Sequence, residues 1–303
     1  MMEYRPLGKT GFLASRIGAG DLADQSLSIE TCVTTLQRAF ARGVNVVDTA
    51  PGYEDGFSEE IVGKAIATMR DRVFVVSKID AFDEPIEQQL IASLDRMQTS
   101  YLDGYVYHGL SDMAEYHSLK SRPEGFATLC ALQKRGLVRH IGISSHNPDV
   151  LLQAMCDDLC DIVMFPVGAF VDQRYLTTVL PEAKARGIGS ICFKTFGAGK
   201  LVTDTTGYGQ PMVERPRGKM SAGETASEGS QNMRVSDCVH YTLTHNPDVA
   251  LLGMSYPSEQ DLVWDAYASF VPKSLDELSE IEVRAAAARA GKGPCWWNPD
   301  PQR

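Results

Sequence analysis

VNVVDTAPGY at 44–53, RVFVVSK at 72–78 and DGYVYH at 103–108 decide how this chain folds. Each run is rich in valine or aromatic residues, as buried strands are. Asp48 closes the VNVVD strand, Lys78 the second run and His108 the third, and these ionisable residues stand 30 positions apart. About 30 residues per strand and helix is the period of an eight-fold α/β barrel of about 250 residues.

The pattern extends in both directions. SRIGAG (15–20) precedes these runs, and RHIGIS (139–144), DIVMFP (161–166), GSICFK (189–194) and VALLG (249–253) follow them. Several are continuously apolar, as parallel strands covered on both faces should be. Helical spacing of apolar residues separates them. Over 28–42 the stripe is Ile29, Val33, Leu36, Ala39 and Phe40, with Ser28 as N-cap and Gly43 as stop. Further helices are expected at 57–69, 85–98, 122–135, 148–156, 177–186, 236–244 and 275–290. A doubly wound sheet alternates in the same way, so spacing alone leaves both open. Eight units in a single run favour a (β/α)8 TIM barrel, read as one domain over 1–303. Three segments stand outside the repeat. YRPLGKTGFLA near the start reads as a small hairpin, 197–232 as a long functional or mobile loop, and 291–303 as an irregular aromatic tail.

Composition excludes several classes of function. The chain is 303 residues long and 44% hydrophobic, enough for a large core. Its 29 basic and 39 acidic side chains leave a net charge of −10, which disfavours nucleic acid and anionic membrane. No apolar run is long enough to span a bilayer, and MMEYRPLGKTG lacks the apolar stretch of a signal peptide. The odd, scattered count of seven cysteines reads as reduced thiols in a cytoplasmic protein.

In a barrel the strand ends carry the chemistry. Asp48, Lys78 and His108 would meet at one rim, joined by Tyr53 on the loop leaving the first of the three strands. Taken singly, each has an ordinary explanation as cap, solvated charge, core imidazole or packing phenol. Their shared period is what points to a site. A phenol titrates near pH 10, too high to release a proton readily at neutral pH. An ammonium about 4 Å away, at an effective dielectric of about 20, is worth roughly 4 kcal/mol, so Lys78 is expected to lower the Tyr53 pKa. Asp48 would keep Lys78 charged, and His108 would donate a hydrogen bond that orients a carbonyl oxygen. Such a group protonates an oxygen but holds no hydride, so a nicotinamide cofactor is required.

VNVVDTAPGYEDGFSEEIVGKAI, FVVSKI, DGYVYHGL, VRHIGISSHN and KTFGAGKL, in that order and spacing, resemble the aldo-keto reductase family, as do the opening YRPLGKTG and SRIGAG. The resemblance covers residues 3 to 270 and implies a (β/α)8 barrel binding NADPH/NADP, or NADH, that interconverts carbonyls with alcohols or sugars. It implies Tyr53 as proton donor, Lys78 and Asp48 as its partners, and His108 as the orienting group. On the cofactor, Ser144 matches a serine on the nicotinamide amide, with Ser145 replacing an asparagine. Met164 stands where a glutamine is usual, and Phe193 matches a ring that stacks on nicotinamide. Gly197, Gly199 and Leu201 belong to a glycine-rich turn at the pyrophosphate. Gly253 and Ser255 match the adenosine-phosphate end, and Asp265 an asparagine at adenine. A Lys or Arg normally meets the 2′-phosphate of NADP. GMSYPSEQDLVWD at 253–265 has neither, so Lys200 or Arg234 must reach in, or NADH is tolerated.

Phe82, Tyr107, Phe170, Trp296 and Trp297 are the candidates for a substrate mouth, aromatic walls suiting sugar faces and apolar carbonyls alike. Other motifs are weaker. GAGDLA at 18–23 fits a dinucleotide fingerprint but is better read as the first strand's end. Cys156 and Cys160, or His140 and His146, lack the further ligands of a metal site. Two other functions compete with a reductase: a cofactor-binding regulatory or interaction subunit of the same fold, and a metal-dependent barrel lyase or hydrolase using Asp48 and His108.

Overall fold

Strand alternation organises the molecule. Side chains two apart on a strand share a face, so one set lines the barrel bore and the other meets the helices. The structure, a computed structural model, describes residues 1–203, 232–292, 295 and 297–298. Among them, eight parallel strands close a barrel in the order β10-β3-β4-β5-β6-β7-β8-β9. They are β3 (Ile17–Ala19), β4 (Val46–Asp48), β5 (Phe74–Ile79), β6 (Leu102–Tyr107), β7 (Val138–Ser144), β8 (Ile162–Pro166), β9 (Gly189–Phe193) and β10 (Val249–Leu252). Closure is what separates this fold from a doubly wound sheet: β10 pairs with β9 on one side and β3 on the other.

The bore is filled by Val46, Phe74, Val76, Val106, Ile162, Met164, Ile191, Val249 and Leu251. The expected hairpin, β1 (Tyr4–Pro6) and β2 (Leu13–Ser15), is antiparallel and contributes Leu7 and Ala14 to that same cluster. Gly8, in its turn, has φ of +49°, and a Cβ there would lie 2.4 Å from the Gly189 nitrogen. Only glycine permits both this conformation and this approach.

Helices α1 (Ile29–Ala41), α2 (Phe57–Ile66), α3 (Ile86–Met97), α4 (Met113–Ser121), α5 (Thr128–Lys134), α6 (Pro148–Cys156), α7 (Leu180–Arg186), α8 (Val235–His245), α9 (Pro257–Ala268) and α10 (Leu275–Arg289) lie among and after the strands. Ser28 caps α1 by accepting the Thr31 amide, and α1 buries Cys32, Leu36, Ala39 and Phe40. The single helix expected at 122–135 is broken. Arg122, before Pro123, is extended (φ −83°, ψ 145°), and Gly125 is non-helical. Helix 177–186 likewise begins with an irregular turn at Tyr175–Val179. No described helix is long and apolar enough to cross a membrane. Of the loop expected at 197–232, residues 204–231 lie outside the described residues, as does Trp296 in the tail.

Candidate active site

Every strand of the barrel delivers at least one residue, on the strand or just past it, to a cavity at its C-terminal end. The series is Gly20, Asp48, Lys78, His108, Ser144, Met164, Phe193 and Gly253, and all eight line a cavity of about 730 Å³. On β5, β8, β9 and β10 these continue the bore series two residues beyond Val76, Ile162, Ile191 and Leu251. Tyr53 joins them from the turn after β4, which passes through left-handed Glu54 and Asp55 (φ 49° and 55°) before α2.

Lys78 is buried, its Nζ 2.7 Å from Asp48 Oδ1 and donating to the Thr49 carbonyl at 2.8 Å. The same ammonium lies 4.4 Å from the centre of the Tyr53 ring. The His108 ring meets Tyr53 edge-on, 5.5 Å between centroids. Its Nδ1 donates to Asp80 Oδ1 at 2.5 Å, while Asp80 Oδ2 accepts the Gly52 amide of the Tyr53 turn. The four residues expected to act together are therefore brought together.

Their electrostatics differ from the sequence expectation. Tyr53 is held well above the ordinary phenol value, by burial first and then by the carboxylates of Asp48, Asp21 and Asp80. Burial and these carboxylates outweigh the lowering expected from Lys78, whose ammonium is shared with Asp48 at contact distance. The phenol is thus fully protonated at neutral pH. Burial opposes ionisation of Asp80, yet the His108 ring and the Gly52 amide hold its carboxyl below the usual range. With Asp80 accepting from Nδ1, a neutral His108 offers Nε2 as an acceptor, and donates through it only when protonated.

Among the further ionisable residues that line the cavity and were not nominated from sequence, three have clearly shifted titrations. Asp21, just past β3, is pushed up to about 6 by burial; the Ala23 amide, Ser58 and Lys78 oppose the shift and Asp48 adds to it. Lys194, just past β9 with φ of +71°, is pushed down to about 8 by burial. His146 is pushed down to about 3 by burial, with Lys194 and His108 adding to the effect. The strand-end rule that found Asp48 and Lys78 also reaches Asp21, Lys194 and Asp80, had it been applied to residues one or two past a strand.

Other nominated residues fall elsewhere, mostly for reasons of parity. Ser145 follows the inward Ser144, is buried, and accepts the Asn147 amide at 3.0 Å, away from the cavity. Tyr107 precedes the inward His108 and is buried against Phe82 and Phe126 on the helix side. Phe82 packs there rather than at the cavity, and its carbonyl accepts from Arg122. Phe170 lies under the Arg289 guanidinium at 5.3 Å. Trp297 is fully buried beside Lys194, its ring 5.2 Å from Nζ, so packing rather than a mouth explains it. Gly197 (φ +55°) and buried Leu201 support the turn from behind, while Gly199 and Ser255 line the cavity. Asp265 is exposed on α9, whose Glu259, Leu262 and Val263 face the cavity instead.

A sequence model of the Aldo/keto reductase family matches residues 16–277. The chain belongs to that family. As an aldo-keto reductase it is an NAD(P)-dependent oxidoreductase. It is 28% identical to aldo-keto reductase YhdN of Bacillus subtilis (92% of this chain, 88% of that one). It is 26% identical to L-galactose dehydrogenase of Arabidopsis thaliana (93% and 94%). Its fold superposes on an aldo-keto reductase from Klebsiella pneumoniae in complex with NADPH, with a TM-score of 0.68 and 22% identity over 93% of this chain and 95% of that one.

The described residues fit a dinucleotide. Gly253 lines the cavity with nothing within 4 Å of a would-be Cβ, an open cradle that a side chain would fill. Left-handed Gly197, Ala198 and Gly199 form a tight turn in which the Gly197 and Gly199 amides donate to the Lys194 and Phe196 carbonyls; Ala198 and Gly199 line the cavity, and Lys194 adds a cation. Phe193 presents a flat ring, and Ser144 a hydroxyl.

Proposed function

We propose that this chain reduces aldehydes or ketones, or oxidises the matching alcohols or sugars, with Tyr53 as general acid and base. One observation carries the reading: the Tyr53 phenol, the Lys78–Asp48 pair and His108 meet at one end of a cavity whose remaining wall suits a dinucleotide. A nicotinamide bound there, from NADPH or NADH, supplies the hydride. Phe193 and Ser144 would hold its ring and amide, and Lys194 with the 197–199 turn its phosphates.

Tyr53 stores the proton. Burial first, and three carboxylates with it, keep the phenol protonated in the waiting site, and negative charge growing on a substrate oxygen draws the proton across. Lys78 then stabilises the phenolate, and Asp48 keeps the ammonium in place. In the reverse direction Tyr53 accepts the alcohol proton. His108, fixed by Asp80, orients the substrate oxygen beside the phenol, donating through Nε2 to a carbonyl when protonated and accepting from an alcohol when neutral. The substrates are small-molecule carbonyls, alcohols or sugars. The L-galactose dehydrogenase relative supports the sugar arm.

Tyr53→Phe tests this reading. It should bind nicotinamide dinucleotide as the parent does, yet lose about 10²–10⁴-fold in turnover on an aldehyde, ketone and sugar panel. Unchanged turnover would remove Tyr53 from the chemistry.

A further inference from the structure

Resting on Tyr53 and His108 as the groups that meet the substrate oxygen, we infer that Asp80 is a positioning residue for both. Its one carboxylate anchors the Tyr53 turn and sets which His108 nitrogen faces the substrate, so that carbonyl reduction requires a protonated His108. Asp80 stands just past β5, two residues beyond Lys78. Its Oδ1 meets His108 Nδ1 at 2.5 Å, and its Oδ2 accepts the Gly52 amide at 2.5 Å. Each oxygen thus serves a different partner.

Gly52 precedes Tyr53, and the turn it opens is costly. Glu54 and Asp55 both sit at positive φ, and such backbone persists only where its surroundings hold it. Asp80 holds one end of the turn. Gln25 holds the other, its Nε2 donating to the Glu54 carbonyl at 2.7 Å. A Cβ on Gly52 would lie 2.6 Å from Asp80 Oδ2, so a side chain there would displace the carboxylate. Among the described residues Asp80 is the hydrogen-bond partner of the His108 ring. The other charged or titratable groups about that ring are Tyr53, edge-on from the turn after β4, and His146 from past β7, with Lys78, Asp48 and Asp21 acting at the phenol.

An ionised carboxylate only accepts, so the proton of a neutral His108 stays on Nδ1. Nε2 then turns a lone pair to the substrate, which repels a carbonyl oxygen. The imidazolium donates there instead, so reduction should slow as rising pH removes its second proton. Asp80→Asn inverts this. The Gly52 N–H still needs an acceptor, so the new amide turns its oxygen to Gly52 and its NH2 to Nδ1. A neutral ring must then carry its proton on Nε2, where it donates to a carbonyl whatever the pH.

Steady-state reduction of an aldehyde by the full chain at saturating reduced dinucleotide, followed between about pH 5 and about pH 9, tests this. In the parent kcat/KM for the aldehyde should fall about tenfold per pH unit along its alkaline limb. In Asp80→Asn that limb should flatten to less than about twofold per unit. Lys194, pushed down to about 8, titrates in the same cavity. A limb caused by Lys194 would survive in Asp80→Asn, whereas one set by Asp80 would not. A parent profile with no alkaline limb, which needs no variant, overturns the inference. So does a limb that Asp80→Asn leaves unmoved. If Tyr53→Phe keeps full turnover, the Tyr53 reading falls and this inference with it. If Tyr53→Phe loses turnover while the parent and Asp80→Asn profiles coincide, only the Asp80 inference falls.

Discussion

Ser77 and Lys78 are neighbours on β5 and serve buried carboxylates on opposite sides of the barrel wall. Ser77 faces the helices, where its hydroxyl donates to Glu59 at 2.6 Å and Arg96 Nε completes the pair at 2.5 Å. Glu59 has no exposed side-chain surface, and its partners are bonded tightly around it. Lys78 faces the cavity, where one ammonium meets Asp48 directly while Asp21 and Asp80 stand near the same phenol. The outer cluster is balanced. The inner one carries more acid than base and leaves a protonated phenol beside open space. Balance suits a strut, and imbalance suits a group that must exchange protons.

Substitutions on the two sides should separate activity from stability. The largest effect is expected on the inner side: Lys78→Met should cut turnover about 10²–10⁴-fold, by steady-state kinetics, because the phenolate loses its counter-ion. Asp48 borders the cavity, where water can solvate it, so the loss in unfolding free energy should be smaller than for the outer pair. Arg96→Met should cost about 3–5 kcal/mol by denaturant titration, since it strands a buried carboxylate, while kcat of the folded fraction holds. Equal kinetic damage from both variants would erase the contrast.

Acid sensitivity gives a subtler test. His146 titrates near 6.5 when unfolded and near 3 in the cavity, so the unfolded chain binds the extra proton first. Stability from this group is complete above about pH 6.5 and is lost as pH falls toward 3. His146→Asn should flatten the unfolding free energy over that window, and an unchanged slope would remove His146 as its source. The smallest effect belongs to Ser145. Ser145→Ala should cost about 1 kcal/mol, for the bond to Asn147, and leave nicotinamide affinity within about twofold by titration. A large loss of affinity would restore Ser145 to the cofactor site.

The barrel was legible because its strands are marked by composition and end at one period. Ser28, Gly43 and the bounds of α6 followed from local rules alone. The break at Pro123 was equally visible, but a long apolar stripe outweighed it. α9 went unnamed because Leu262, Val263 and Trp264 are consecutive rather than spaced around a helix. At the site, Asp48, Lys78 and His108 were found by periodicity, and Tyr53 by its place on the loop after Asp48. Ser145 and Tyr107 misled for want of a parity test: each adjoins an inward residue and so points the other way. The sign of the Tyr53 shift was out of reach of sequence, because it depends on burial first and then on three carboxylates from separate units.

The hairpin that fills the bottom of the bore has a consequence for how the chain is made. Gly8 donates to Asp248, Lys9 to the Gly187 carbonyl, and β3 closes the ring only against β10. Gly8 and Lys9 therefore wait for partners synthesised some 180 to 240 residues later. Until then β3 has one open edge and Leu7 no pocket, so the hairpin and β3 are among the last elements to settle.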